Sequence, residues 1–289
     1  MKKTRILSAM IATLLLVSCV GCSGAGSDAP GVPSSDDAFI WTNDSTISGL
    51  SDKGKTLTEV VIPAKCTAFD SFKLSDGVAQ KVSFESSSAI DLSSVFSFST
   101  TLEKVLLPSE LTELPDNCFM NCSALKEVKI PDNVSTLPMF CFSKCSSLTD
   151  VTMSNVKVIS DKAFFGCASL ESVKLPDSVE TIGNAAFNQC NALKDINLPD
   201  GITSMGDRVF QDCPVLESIE LPASLKTVGS NLIYNSGIKE IVVPEDLELT
   251  TWQKGSFGSS ISYKVRVVKG SWADSHFDEV FGSMAQKVY

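Results

Sequence analysis

Ten cysteines and a single histidine, His276, are the side chains of this 289-residue chain best suited to covalent chemistry or metal binding. A cysteine or serine nucleophile needs a base within hydrogen-bond reach. His276 is the one imidazole available, and it stands near the C-terminus, well past the last cysteine, Cys213. A structural zinc site needs Cys-x-x-Cys pairs or histidines. Beyond residue 22 the tightest cysteine spacings are Cys118-x-x-x-Cys122 and Cys141-x-x-x-Cys145, and neither has a histidine beside it. No Gly-rich phosphate loop, His-Glu-x-x-His run or Gly-x-Ser-x-Gly elbow occurs. The expectation is therefore no catalytic site, no metal site and no cofactor, with His276 a surface residue near the chain end. With 24 basic against 34 acidic residues the net charge is -10, which argues against a phosphate backbone as partner. At 43% hydrophobic and 20% charged, the chain has the composition of a folded protein.

The cysteines take on meaning once their positions are read as a series. The pattern Leu-x-x-Val-x-Leu-Pro, then Val-x-x-Ile, then Ala-Phe-x-x-Cys recurs from Leu102, Leu125, Leu148, Leu170, Leu193 and Leu216, at spacings of 23, 23, 22, 23 and 23. Degraded copies start at Leu57 and Ala79 upstream, and at Ile238 and near Ser262 downstream. Phenylalanine holds one position at Phe96, Phe119, Phe142, Phe164, Phe187 and Phe210, with Ile233 as its equivalent. Three residues on stand Ser99, Cys122, Cys145, Cys167, Cys190, Cys213 and Ser236. Cys118 and Cys141 precede the phenylalanine, where Ala163 and Ala186 stand in later copies, and Cys66 takes the apolar slot of Val134. All eight thus occupy slots filled elsewhere by small or apolar residues, so buried free thiols are expected. Cys118 with Cys141 is the pair that neighbouring units could bring within disulfide reach.

A unit of 23 residues cannot enclose its own apolar side chains, whereas stacked units can. Val105 and Leu107 alternate as a short strand with one face buried. Proline removes a ladder donor and so suits the strand's end. Phe and Cys, three apart, predict one helical or 3₁₀ turn facing the same core. The expected fold is an α/β solenoid of about ten rungs of 22–23 residues, with a parallel β-sheet on one face. The unit from Ala79 and the proline-less Met153-Ser154 are expected to bulge.

From Leu57 to Val268 these residues resemble the leucine-rich repeats of BspA-like bacterial surface proteins, of the treponemal class. The resemblance implies a right-handed, gently curved solenoid exposed outside the cell. It also implies adhesion to, or binding of, host or bacterial surface proteins, as in some members of the family.

Both ends need covers, because an open rung exposes apolar core and unpaired strand edges. Residues 38–56, with Phe39-Ile40-Trp41, Asn43-Asp44 and Thr46-Ile47-Ser48-Gly49, read as a β-hairpin cap. Residues 57–268 form the solenoid. In 269–289, Ser271 is placed to N-cap a helix from Trp272 to Phe281 that covers the last rung.

Two columns of side chains point outward from the predicted sheet. The first includes Lys81, Lys104, Glu127, Asp150 and Asp195; the second includes Leu106, Lys129, Thr152, Lys174 and Asn197. Opposite charges adjoin at Glu59 with Lys81 and at Lys104 with Glu127, while Glu127 beside Asp150 is a like-charge step. Neither column carries an aromatic residue on which a sugar would stack, so a protein partner is the better fit.

The N-terminus reads as an address. Lys2, Lys3 and Arg5 precede a twelve-residue apolar run, Ile6 to Val17, too short to span a bilayer. Leu16-Val17-Ser18-Cys19 resembles the bacterial lipobox, in which cleavage before a cysteine is coupled to lipid attachment at its thiol. Residues 1–18 are then the signal peptide and Cys19 the lipidated residue. Cys22 is the alternative, with Cys19 standing where its motif would have leucine. Residues 19–37, rich in Gly, Ser, Pro and Asp, form a flexible tether. The functional expectation is a non-enzymatic protein-binding module, exported and lipid-anchored at the bacterial surface. The competing expectation is a structural envelope protein, a spacer or assembly partner without a soluble ligand.

Overall fold

The computed structural model describes residues 35–259 and 261–289. The signal segment 1–18, Cys19, Cys22 and most of the tether 19–37 lie outside the described residues.

Among the described residues, one face carries eleven short parallel strands, in hydrogen-bonded groups of five, two and four. They begin at Glu59–Ile62 and end at Ala285–Val288. The alternation that the repeat dictates is visible in Glu127–Lys129, where Val128 is buried between exposed Glu127 and Lys129. A second parallel sheet runs along the solenoid. Its two-residue strands are Thr136–Leu137, Val158–Ile159, Thr181–Ile182, Ser204–Met205 and Thr227–Val228. Each inner residue of that sheet is the apolar residue that closes the Val-x-x-Ile element.

The third side holds the phenylalanine column, and the rings stack as a ladder. Successive centroids from Phe96 to Phe187 lie 5.1 to 5.4 Å apart, and the step from Phe187 to Phe210 is 6.0 Å. All six rings are completely buried. Burying one such side chain stabilises by about 1.5–3 kcal/mol, and offset aromatic stacking adds about 0.5–1.5 kcal/mol.

The segment between Phe and Cys was expected to be helical or 3₁₀, and here the structure corrects the sequence reading. It is a string of tight turns containing left-handed residues, two before and two after each ladder phenylalanine: Phe140 at φ 56° and Lys144 at 61°, then Arg208 at 57° and Asp212 at 56°. Such residues strain an L-amino acid by about 1–2 kcal/mol. What offsets the strain is a cross-rung ladder that a helix could not make. Phe140, Phe142 and Lys144 N–H donate to Asp161, Ala163 and Phe165 O at 3.1, 2.7 and 2.7 Å. A helix would turn those donors back into its own chain and leave the rungs unjoined on this side.

The same turns explain the cysteines. Cys145 N–H donates to Phe119's equivalent in its own rung, Phe142 O, at 3.0 Å. Its thiol donates to Phe119 O of the rung before, also at 3.0 Å. This contact repeats from Cys122 to Cys213 at 3.0 to 3.3 Å. A thiol suits the slot because it packs as a small hydrophobe and still donates weakly. A further ladder flanks it: Asp161, Asn184 and Asp207 each accept, through Oδ1, the N–H of the equivalent residue one rung on, at 2.7, 2.7 and 2.6 Å. Room for these side chains requires glycine beside them, since a Cβ at Gly206 would lie 2.6 Å from Asn184 Oδ1.

At the N-terminal end, Phe39–Asn43 and Thr46–Leu50 pair antiparallel, and Thr46 and Ile47 pair parallel with Ala68–Phe69. The hairpin thereby continues the line of the second sheet over the first rung. At the C-terminal end Ser271 accepts from Asp274 N–H and opens two one-turn helices, Trp272–Ser275 and Phe277–Val280, in place of one continuous helix. The chain then returns as the strand Ala285–Val288, parallel to Tyr263–Arg266, so this segment is a partial rung as well as a cover. Asp274 fastens it, accepting from Gly270 N–H, Lys287 Nζ and Tyr289 OH at 2.9, 2.8 and 3.0 Å. The backbone bond from Gly270, followed by that from Lys287, holds its carboxyl down at about 2.

Replacing one ring tests the ladder. Phe142→Ala is expected to destabilise by about 3–5 kcal/mol, lowering the thermal midpoint by roughly 6–20 °C. Phe98→Ala, at a half-exposed ring outside the column, is expected to stay within about 0.5 kcal/mol. Equal effects of the two in a thermal melt would contradict the stacking.

Candidate functional site

The strand face is built by repetition. Each three-residue strand buries its middle side chain and turns the flanking two outward, and parallel register places equivalent residues side by side. Glu127 thus aligns with Asp150 and Lys129 with Thr152, as Lys104 does with Glu127. The outward residues form one strip.

Two adjoining grooves lie on that strip. The first, about 500 Å³, is lined by Lys104, Leu106, Glu127 and Lys129, with Asp132 and Asn133 from the turn after the strand. The second, about 760 Å³, is lined by Thr149, Met153, Asn155, Ser172, Lys174 and Asn197, among others. Asp150 and Thr152 line both. Eight of the ten residues expected on the face are thereby gathered at the grooves, while Lys81 and Asp195 line neither.

Their electrostatic states differ. Lys104 pairs with Glu127 across the strand step, and Lys81 with Glu59 at 3.6 Å. Among the described residues Lys129 and Lys174 have no ion-pair partner. Asn197 is engaged internally: its Oδ1 accepts from Leu175 N–H at 2.9 Å and its Nδ2 donates to Leu175 O at 3.1 Å. Leu106 leaves 57% of its surface exposed on one side of a groove lined largely by charged residues.

One column went unread in the sequence. The residue after each unit's first leucine forms ion pairs along the edge of the strip: Glu103 with Lys126 at 2.6 Å and Glu171 with Lys194 at 2.9 Å. Glu217 with Lys239 is a third. Their signal was opposite charges one period apart, offset by one residue from the outward columns. These pairs are exposed and each contributes little to stability.

The groups that opened the question of chemistry are accounted for by packing. All eight described cysteines are free and buried. Burial pushes the Cys122 and Cys213 thiols up to about 12, and moves Cys118, Cys141, Cys145, Cys167 and Cys190 well upward too. A protonated, enclosed thiol is a poor nucleophile. His276 lies in the C-terminal cover, its ring stacked on Trp272 at 4.4 Å and edge-on to Trp252 at 6.0 Å. Its Nδ1 is 2.9 Å from Trp272 O and 3.0 Å from Ser275 Oγ. Among the described residues no group of three or more His, Cys, Asp or Glu is disposed to hold a metal ion. Nor is any helix there long and apolar enough to cross a membrane.

None of the curated proteins matches the chain. Among solved structures, the T. pallidum leucine-rich repeat protein is 18% identical, with a TM-score of 0.48 over 88% of this chain and 98% of that one. A leucine-rich repeat protein of Bacteroides ovatus is 23% identical, with a TM-score of 0.49 over 86% of this chain and 74% of that one. A leucine-rich cell surface protein of Faecalibacterium prausnitzii is 18% identical, with a TM-score of 0.45 over 87% and 93%. The family model for the BspA type leucine rich repeat region matches residues 50–167 and 137–264, in six copies. That match spans most of the chain and the stacked rungs up to the strand Tyr263–Arg266, and the protein belongs to the BspA-type leucine-rich-repeat family.

Proposed function

We propose that this protein is a non-enzymatic module that binds another protein outside the cell and is held at the bacterial surface by lipid on Cys19. Membership of a leucine-rich-repeat family suggests a protein-interaction role. The observation that carries the reading is Leu106, a large apolar side chain more than half exposed in a groove that Lys104, Glu127, Lys129 and Asp132 also line. An exposed apolar side chain with charged neighbours is a feature of protein interfaces. The absence of aromatic side chains from both outward columns disfavours a sugar ligand. For the anchor, the support is Leu16-Val17-Ser18-Cys19 following a short apolar run and preceding a tether with little to bury.

The binding reading is tested with the chain from Asp37 onward in pull-downs from host and bacterial surface extracts, followed by titration of the captured protein. Leu106→Asp is expected to weaken a saturable interaction by about ten-fold or more, with the thermal midpoint unchanged within about 2 °C. Unchanged affinity in the folded variant would remove the groove from the interface.

The anchor is tested by growing cells that express the full chain with a clickable palmitate analogue. Cys19→Ala is expected to abolish labelling and Cys22→Ala to retain it. The opposite pattern moves the lipid to Cys22, and an unlabelled wild-type chain refutes the anchor.

A further inference from the structure

The strand face is not bonded along its whole length. In the bonded steps, the residue after each unit's first leucine donates to its counterpart in the rung before. Lys126 N–H reaches Glu103 O at 3.0 Å, Lys194 reaches Glu171 O at 2.8 Å, and Lys239 reaches Glu217 O at 2.8 Å. Among the described residues, Glu171 makes no such bond to Thr149, nor does Glu217 to Lys194. These are the two places where the sheet divides into its groups of five, two and four strands.

The rest of each rung stays joined across both divisions. At the first, Val158 pairs with Thr181 in the second sheet, Phe164 N–H donates to Ala186 O at 2.8 Å, and the Phe164 and Phe187 rings stack 5.1 Å apart. At the second, Ser204 pairs with Thr227, and Phe210 N–H donates to Leu232 O at 2.8 Å. Two sides held and one side open is the geometry of a hinge.

The first division coincides with a local change in the sequence. The rung from Leu148 is one residue shorter than its neighbours, and the loss falls in the turn after the strand. Met153-Ser154-Asn155-Val156 stands where the preceding rung has Ile130-Pro131-Asp132-Asn133-Val134. Val156 keeps its place in the core, wholly buried. The missing length is therefore taken from the strand exit, beside the step where Asp150–Thr152 and Ser172–Lys174 are unpaired, whereas the rungs from Leu57 and Leu216, also 22 residues long, lose their residue elsewhere and keep their strands paired. The 760 Å³ groove opens at this division, with residues of both strands on its walls.

We propose that the step between Asp150–Thr152 and Ser172–Lys174 is a hinge in the outward strip. The solenoid bends there about its second sheet, so that the groove widens or narrows while the core ladder stays intact. That such bending fits the strip to a protein partner rests on the proposed function; the hinge itself does not.

Hydrogen exchange on the full chain tests it without any partner. The amides of Glu171 and Glu217 are expected to exchange at least about ten-fold faster than the equivalent amides of Lys126, Lys194 and Lys239. Inserting one aspartate between Ser154 and Asn155 restores the 23-residue spacing. It is expected to slow Glu171 to the level of Lys126 while leaving Glu217 fast. Uniform protection of all five amides in the wild-type chain would overturn the proposal, as would a folded insertion variant in which Glu171 still exchanges fast. If the insertion prevents folding, the wild-type comparison decides alone. Failure of Leu106→Asp to change binding would leave this result untouched.

Discussion

A rung of 22–23 residues cannot bury its own apolar side chains, and every feature of this molecule follows from that deficit. Each rung can be completed only by neighbours that present the same side chains and the same backbone groups at the same height. Burial then runs as columns, as in the six fully enclosed phenylalanines from Phe96 to Phe210. Hydrogen bonding runs as columns as well, on three sides of the unit. A substitution at one height is consequently felt by the rungs above and below, and the ends must be covered by something that is not another full rung.

The phenylalanine turns show how far this constraint reaches. Residues as ill-suited to a left-handed conformation as Phe140, Lys144 and Arg208 adopt it, because only then do their turns direct backbone donors to the next rung and join the rungs on this side. The bonds so formed between rungs offset the strain. The cysteine column belongs to the same accounting. The Phe119 carbonyl accepts the Cys122 N–H of its own rung and the Cys145 thiol of the next. The thiols that suggested chemistry in the sequence are thus structural, and burial keeps them protonated.

Much of this was legible in the sequence, for physical reasons. A period of 23 residues, the Phe and Cys positions and the proline that ends each strand are direct consequences of burial and of the missing N–H. The outward columns were legible because strand alternation is strict. The second sheet was not, because strands of two residues show no alternation. The left-handed turns were hidden because the residues in them are set by the neighbouring rung and not by local preference. The strand Ala285–Val288 carries no Leu-x-x-Val-x-Leu-Pro signature and was read as part of a helical cover. Asn197 looked like an outward polar residue, and only the coordinates show its amide turned onto Leu175. The residue missing from the turn after Thr152 was visible as a spacing of 22, one that the rungs from Leu57 and Leu216 share, but what happens at the strand face beside it required the hydrogen bonds.

If rungs are interchangeable units joined by columns, then removing one whole unit should leave the columns in register. The most direct test is to delete Leu170 to Ala192, one complete period, and to compare the product with a chain lacking half that length from the same place. The account predicts a folded protein with a cooperative thermal transition from the first deletion and loss of cooperative folding from the second. A full-period deletion that unfolds the chain while the half-period deletion folds would contradict it.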